Sequence, residues 1–190
     1  MLAVARRVPV GEALPALGLL AIAVVALGPR PLLVGFAWLA WVTPRLVEVD
    51  LAEHRLPDAV VLPGYPVVLA ALVLDGALTG SDVGGAVLAA AACGLVFLLL
   101  HVAGGMGFGD VKLAGVLGLY LGWLGYDALF VGYFLGALLG GVVGIGLLLA
   151  RRVQRGTKVP YGPFMVAGAV LAVFVAGPLV HAYLHSTGAA

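Results

Sequence analysis

Residues 83–125 read VGGAVLAAAACGLVFLLLHVAGGMGFGDVKLAGVLGLYLGWLG. An apolar run of about twenty residues meets a glycine-rich break, and a second apolar run follows. Asp110 and Lys112 are the charged residues of the whole stretch. A helix rising about 1.5 Å per residue needs roughly 20 residues to cross a hydrocarbon core of about 30 Å. The stretch therefore reads as two membrane helices, the second short, joined at one interface by a loop that carries the charge.

The same reading extends along the chain. Of the 190 residues, 63% are hydrophobic and 10% charged, with a mean hydropathy of +1.18. Soluble domains keep about a quarter of their residues charged, so this chain uses lipid as its solvent. Seven spans are expected, at about 13–28, 31–49, 59–79, 83–103, 110–125, 127–150 and 162–185. The breaks fall at Gly28-Pro29-Arg30-Pro31, 50–58, Thr79-Gly80-Ser81-Asp82, 104–109, Gly125-Tyr126-Asp127 and 151–158. The fold class is all-α, a polytopic transmembrane bundle forming a single domain over 1–190. The first apolar stretch follows Arg6 and Arg7 like a secretory signal, but the apolar runs after it favour a retained helix.

Seven spans with a cytoplasmic N-terminus put Arg6, Arg7, Arg45, Arg55, Lys112, Arg151, Arg152, Arg155 and Lys158 inside or near the inner interface, and Arg30 alone outside. That distribution obeys the positive-inside rule. A formal net charge of +1 argues against a nucleic-acid partner, which needs a concentrated basic patch. The single cysteine, Cys93, excludes an intrachain disulfide and a multi-cysteine zinc site. Gly132, Gly136, Gly140 and Gly144 recur every fourth residue, one helical face suited to close packing.

Ionisable groups at membrane depth are functional candidates. Glu12, Asp75, Asp82 and Asp127 fall near span ends or in loops and read as solvated groups or caps. Glu48, three residues after Arg45, reads as half of a helical ion pair. The other acids gather in two clusters on the inner side. The first is VEVDLAEHRLPD, residues 47–58. Asp50 stands where the second span ends, and Asp58 opens the third, where a carboxylate suits the helix dipole. The second is GGMGFGDVKLAG, residues 104–115, with four glycines in the six residues before Asp110. Such a loop permits backbone to approach backbone and so to lie along an extended peptide. Gly107, Gly109, Asp58 and Lys112 are the candidate substrate contacts.

Two aspartates sharing one proton can act as base and acid in amide hydrolysis. At about 4 Å and an effective dielectric near 20 they repel by roughly 4 kcal/mol, which separates their titrations by about three units. Asp50 and Asp110 are the expected catalytic pair. Ser81, Ser186 and Cys93 are poorly placed for a nucleophile, and no His-Glu-x-x-His zinc motif is present. His181 and His185, spaced i, i+4, read as interfacial groups. His54 and His101 lie close to the carboxylate clusters, with a structural role expected. No metal or cofactor is expected. The competing reading is a proton- or cation-coupled transporter using Asp50 and Asp110, which would need them along a transmembrane path; a non-catalytic scaffold leaves the paired acids unexplained.

At these motifs the chain resembles the type IV prepilin peptidases, Gly-x-Gly-Asp aspartyl proteases of bacterial membranes. VDLAEHRLPDAVVLP (49–63) looks like the first catalytic segment, GGMGFGDVKLAGVLGLYLGW (104–123) like the second, and VPYGPFMVAGA (159–169) like the segment opening the last helix. The likeness covers 31–185, with 13–28 as an extra N-terminal span. It implies that Asp50 and Asp110 are catalytic and that the substrates are prepilins or pseudopilins. It further implies that their basic leader is cleaved at the cytoplasmic face of the bacterial inner membrane. Members that also methylate carry an N-terminal region, often with two Cys-x-x-Cys pairs, so peptidase activity without methyl transfer is expected here. Presenilin-like proteases share Gly-x-Gly-Asp, but their Pro-Ala-Leu follows the second aspartate, whereas Pro15-Ala16-Leu17 precedes both.

Overall fold

The computed structural model describes residues 17–18, 20–21, 23–24, 27–53, 56–104, 106–151 and 160–187. Among these there is no strand. The helices are α1 (Leu32–Glu53), α2 (Asp58–Val61), α3 (Gly64–Thr79), α4 (Gly84–Val102), α5 (Phe108–Leu124), α6 (Tyr126–Leu149) and α7 (Gly162–Thr187). The described residues of 17–27 are helical as well, and Ala23 is fully buried. Breaks fall where glycine allows a left-handed turn: Gly28, Gly80 and Gly104 have φ of +73°, +74° and +82°, a conformation that disfavours any Cβ.

Among the described residues, five helical segments are long and apolar enough to cross a membrane: Leu32–Asp50, Asp58–Thr79, Gly84–Val102, Tyr126–Leu149 and Gly162–Leu179. The expected span at 110–125 is α5, whose 17 residues reach about 25 Å. It differs from the rest in being enclosed: every residue from Asp110 to Leu121 except Lys112 is buried. Half of the expected span at 13–28 lies outside the described residues, as does all of the basic stretch 152–159.

Helix α5 is thus the axis of the bundle. Its Gly118 and Gly122 lie against Ala86 and Ala89 of α4, small residues on both sides that let the backbones close up. Tyr133 of α6 donates its hydroxyl to the Ala114 carbonyl. Gly132 and Gly136 of α6 face Ala169, Ala172, Phe164 and Met165 of α7. The glycine face therefore packs a helix, as expected, but Gly144 has nothing near it. Large apolar side chains such as Leu88, Val102, Phe130 and Leu149 point outward, which a lipid solvent accepts.

One expectation about polar groups is corrected. Asp75, read from sequence as solvated, is completely buried. Arg30 donates to it from Nε at 3.1 Å and also from Nη2, and Trp123 donates from Nε1 at 2.9 Å. A buried carboxylate needs such compensation. The cluster ties the start of α1 to α3 and α5. Asp82 does act as a local cap, accepting from Gly84 N–H at 3.0 Å, and Arg45 pairs with Glu48 at 3.0 Å.

Candidate active site

At the other end of the bundle from Asp75, a cavity of about 400 Å³ is lined by Asp50, Asp58, Gly107, Gly109, Asp110 and Lys112, with Leu56, His101, Met106 and Phe108. Every residue singled out from the two acidic clusters as catalytic or substrate-contacting therefore borders one space. Sixty residues separate the two aspartates in the chain, and α1 and α5, each packed against α3 and α7, bring them to a common wall.

Each aspartate is buried, at 4% exposure for Asp50 and 8% for Asp110, and each is held by a glycine N–H. Asp110 occupies the first turn of α5. Its Oδ2 accepts from Gly107 N–H at 3.1 Å, a reach back to the N-cap that satisfies a donor the helix cannot. Asp50 lies in the last turn of α1, which runs on past the expected end at 49. Its Oδ2 accepts from Gly162 N–H at 3.2 Å. Gly162 opens α7, where its N–H is one of the unpaired donors of a helix start.

Leu56 closes the wall between them. A side chain on Gly109 would meet Leu56 Cβ at 2.6 Å, and one on Gly162 would meet Leu56 Cδ2 at 3.2 Å and Asp50 Oδ2 at 3.0 Å. Both glycines let the three segments approach more closely than a Cβ permits. The stretch 160–169 thus enters the site through Gly162, which the acidic clusters alone gave no means of finding. His101 enters from the end of α4: its Nδ1 is 2.8 Å from the Met106 carbonyl, and its ring lies 5.5 Å from that of Phe108.

Asp58 was expected to cap a helix. Pro57 is the N-cap of α2 and makes no side-chain bond, and the Asp58 carboxylate instead accepts from Lys112 Nζ at 2.6 Å. The same ammonium lies 4.8 Å from the Phe108 ring centroid. Tyr65 anchors this turn by donating to the Lys112 carbonyl at 2.9 Å. The exposed Asp58 and half-buried Lys112 form a charged rim around the two buried acids. The side chain of His54, and those of His181 and His185, lie outside the described residues.

Asp110 stands outside the five spanning segments, and its carboxyl is pushed up to about 6. Burial is the main cause; the Gly107 N–H opposes the rise, and the charge of Asp50 adds to it. Burial also raises the Tyr161 hydroxyl, with Asp110 contributing. A carboxyl raised by desolvation and by a like neighbour holds a proton where a solvated one would not. One acid of such a pair can therefore donate while the other accepts.

Residues 33–145 match the type IV leader peptidase family. The chain is similar to the prepilin leader peptidase/N-methyltransferase of Aeromonas hydrophila, 34% identical over 188 residues, or 95% of this chain and 62% of that protein. It is 30% identical over 167 residues to the protein of the same name from Pseudomonas aeruginosa, covering 81% of this chain and 56% of the relative. For that of Burkholderia pseudomallei strain K96243 the identity is 31%, over 90% and 58%. The chain thus spans less than two thirds of the length of these relatives. No solved structure matches it.

Proposed function

Because the chain belongs to the type IV leader peptidase family, we propose that it is an aspartyl endopeptidase of the bacterial inner membrane. Asp50 and Asp110 are its catalytic pair, and the leader peptides of prepilins or pseudopilins are its substrate. What supports this reading most directly is the shared setting of the two acids. Both are buried, both line one cavity, and each is fixed by a glycine N–H. A proton- or cation-coupled transporter would want carboxylates spread along a path, and these two share one wall.

The chemistry follows from one shared proton. The ionised carboxylate takes a proton from water as the water oxygen bonds to the scissile carbonyl carbon, and the protonated partner donates to the carbonyl oxygen. As the tetrahedral intermediate collapses and the C–N bond breaks, the partner carboxylate takes back a hydroxyl proton while the carbonyl re-forms, and the proton held by the first acid goes to the departing amine. The two titrate as a pair, so neither is assigned as the permanent acid. Gly107 and Gly109 present backbone to an extended substrate, and Asp58 and Lys112 contact it at the rim. The cytoplasmic orientation rests on the positive-inside count. We assign peptide hydrolysis to these residues; methyl transfer, the second activity in the relatives' names, is not assigned to them.

The test is co-expression with a candidate prepilin, following leader loss by gel mobility and N-terminal sequencing. Asp50→Asn and Asp110→Asn are run alongside, with membrane levels matched. Cleavage by the parent and by neither variant is expected. Full cleavage by either well-expressed variant removes that aspartate from the mechanism.

A further inference from the structure

The loop between α4 and α5 is short, and two of its contacts meet on one peptide group. The carbonyl of Met106 faces His101 Nδ1 at 2.8 Å. The N–H of the same peptide, belonging to Gly107, donates to Asp110 Oδ2 at 3.1 Å. A carbonyl oxygen can only accept, so Nδ1 carries the hydrogen and the imidazole tautomer is fixed. The sequence of bonds is then imidazole N–H to carbonyl, through the peptide, to carboxylate.

We propose that His101 is a positioning residue for Asp110, acting through the Met106–Gly107 peptide group. The inference rests on the reading of Asp110 as catalytic. Two physical effects carry it. The first is orientation. The peptide is flanked by glycine at 107 and follows Gly104, which has φ +82°, so its plane has little steric restraint of its own. A bond to its carbonyl from the end of α4 holds that plane, and with it the N–H aimed at Asp110. The second is polarisation: a donor on the carbonyl strengthens the N–H of the same peptide as a donor. Both act on the carboxylate without His101 touching substrate.

The ring also packs on Phe108 at 5.5 Å, so a purely structural role must be separated from the bond. Two variants cross the features. His101→Asn keeps an N–H donor at the position of Nδ1 and loses the ring. His101→Phe keeps a ring against Phe108 and loses the donor. The other titratable groups on this cavity or coupled to Asp110 are Asp50, Asp58, Lys112 and Tyr161, and neither His101 substitution alters any of them.

The experiment measures prepilin cleavage in detergent across pH, with kcat and KM resolved. In parallel, Asp110 titration is followed by carboxyl carbon NMR on aspartate-labelled protein carrying Asp50→Asn, the signal being assigned by its loss in Asp110→Asn. His101→Phe is expected to lower kcat about tenfold with KM little changed, and to move the Asp110 titration up by about half a unit. His101→Asn is expected to follow the parent in both. A His101→Phe protein with parental kcat and parental titration overturns the proposal. Equal defects in the two variants with unmoved titration overturn it as well, leaving packing as the role. If the parent cleaves no prepilin, the catalytic reading fails by itself, and the titration still decides whether His101 acts on Asp110.

Discussion

Leu56 occupies the space that a side chain on Gly109 would need, its Cβ 2.6 Å from where the glycine's own Cβ would stand. The two residues come from different acidic motifs, so this contact sets how closely the motifs approach. Gly109→Ala should force α5 away from Leu56 and separate the carboxylates. A displacement near 1 Å costs on the order of a hundredfold in rate, so a loss of cleavage of that order is expected. Leu56→Gly in the Gly109→Ala background removes the Cβ that blocks the approach and should recover part of it. Cleavage rates of the single and double variants check this; a Gly109→Ala protein at parental rate would show that the approach does not matter.

Ionised Asp110 should cost stability. Its carboxyl, ordinarily near 3.8, is raised to about 6 in the folded protein, so the folded state holds the proton more tightly than the unfolded one. The cost is absent below the unfolded value, grows as pH rises through the window between the two, and is constant above the folded value. Asp110→Asn removes the charge and keeps an acceptor for Gly107. It should raise stability by about 1–3 kcal/mol near pH 7.5 and give no gain near pH 4. Thermal unfolding in detergent at both pH values reads this directly.

The Arg30–Asp75 pair should behave oppositely. Arg30→Met leaves a fully buried carboxylate that keeps its bond from Trp123 but loses its ion pair, and breaking such a pair costs about 3–5 kcal/mol. Removing both charges, as Arg30→Met with Asp75→Leu, should restore most of the loss. A double-variant Tm no better than that of Arg30→Met alone would contradict the account.

Gly136 and Gly144 share a helical face but not a role. A side chain at 136 would meet the Phe164 carbonyl at 3.1 Å and Met165 Cα at 3.3 Å, whereas one at 144 would meet nothing within 4 Å. Gly136→Leu is expected to cost about 2–3 kcal/mol, and Gly144→Leu less than about 0.5 kcal/mol. Unfolding temperatures of the two variants, measured side by side, decide it.

The helices were legible because lipid imposes a simple rule: long apolar runs, punctuated where glycine and proline interrupt them. Helix α5 shows where the rule thins. Its length falls short of a full crossing because neighbouring helices, rather than lipid, surround it. The two acidic motifs led to Asp50 and Asp110, since carboxylates in apolar runs stand out. Gly162 was not legible as a site residue, because its contribution is a backbone N–H that any residue type carries. Asp75 was misread for a related reason. Its partners Arg30 and Trp123 are 45 and 48 positions away, and no local pattern reveals such a partnership. Asp58 looked like a cap because helix starts favour acids, yet Lys112, 54 positions on, claims its carboxylate.

The bond from Gly162 to Asp50 also bears on timing. The chain is made from its N-terminus, and α7 emerges after every residue that lines the cavity. A ribosome that has completed α6 holds both aspartates but has not yet supplied the N–H that fixes one of them. Under the proposed chemistry, the nascent protein is expected to cut more slowly until α7 is in place. Full competence is expected with the N–H of Gly162, so the order of synthesis itself delays the activity.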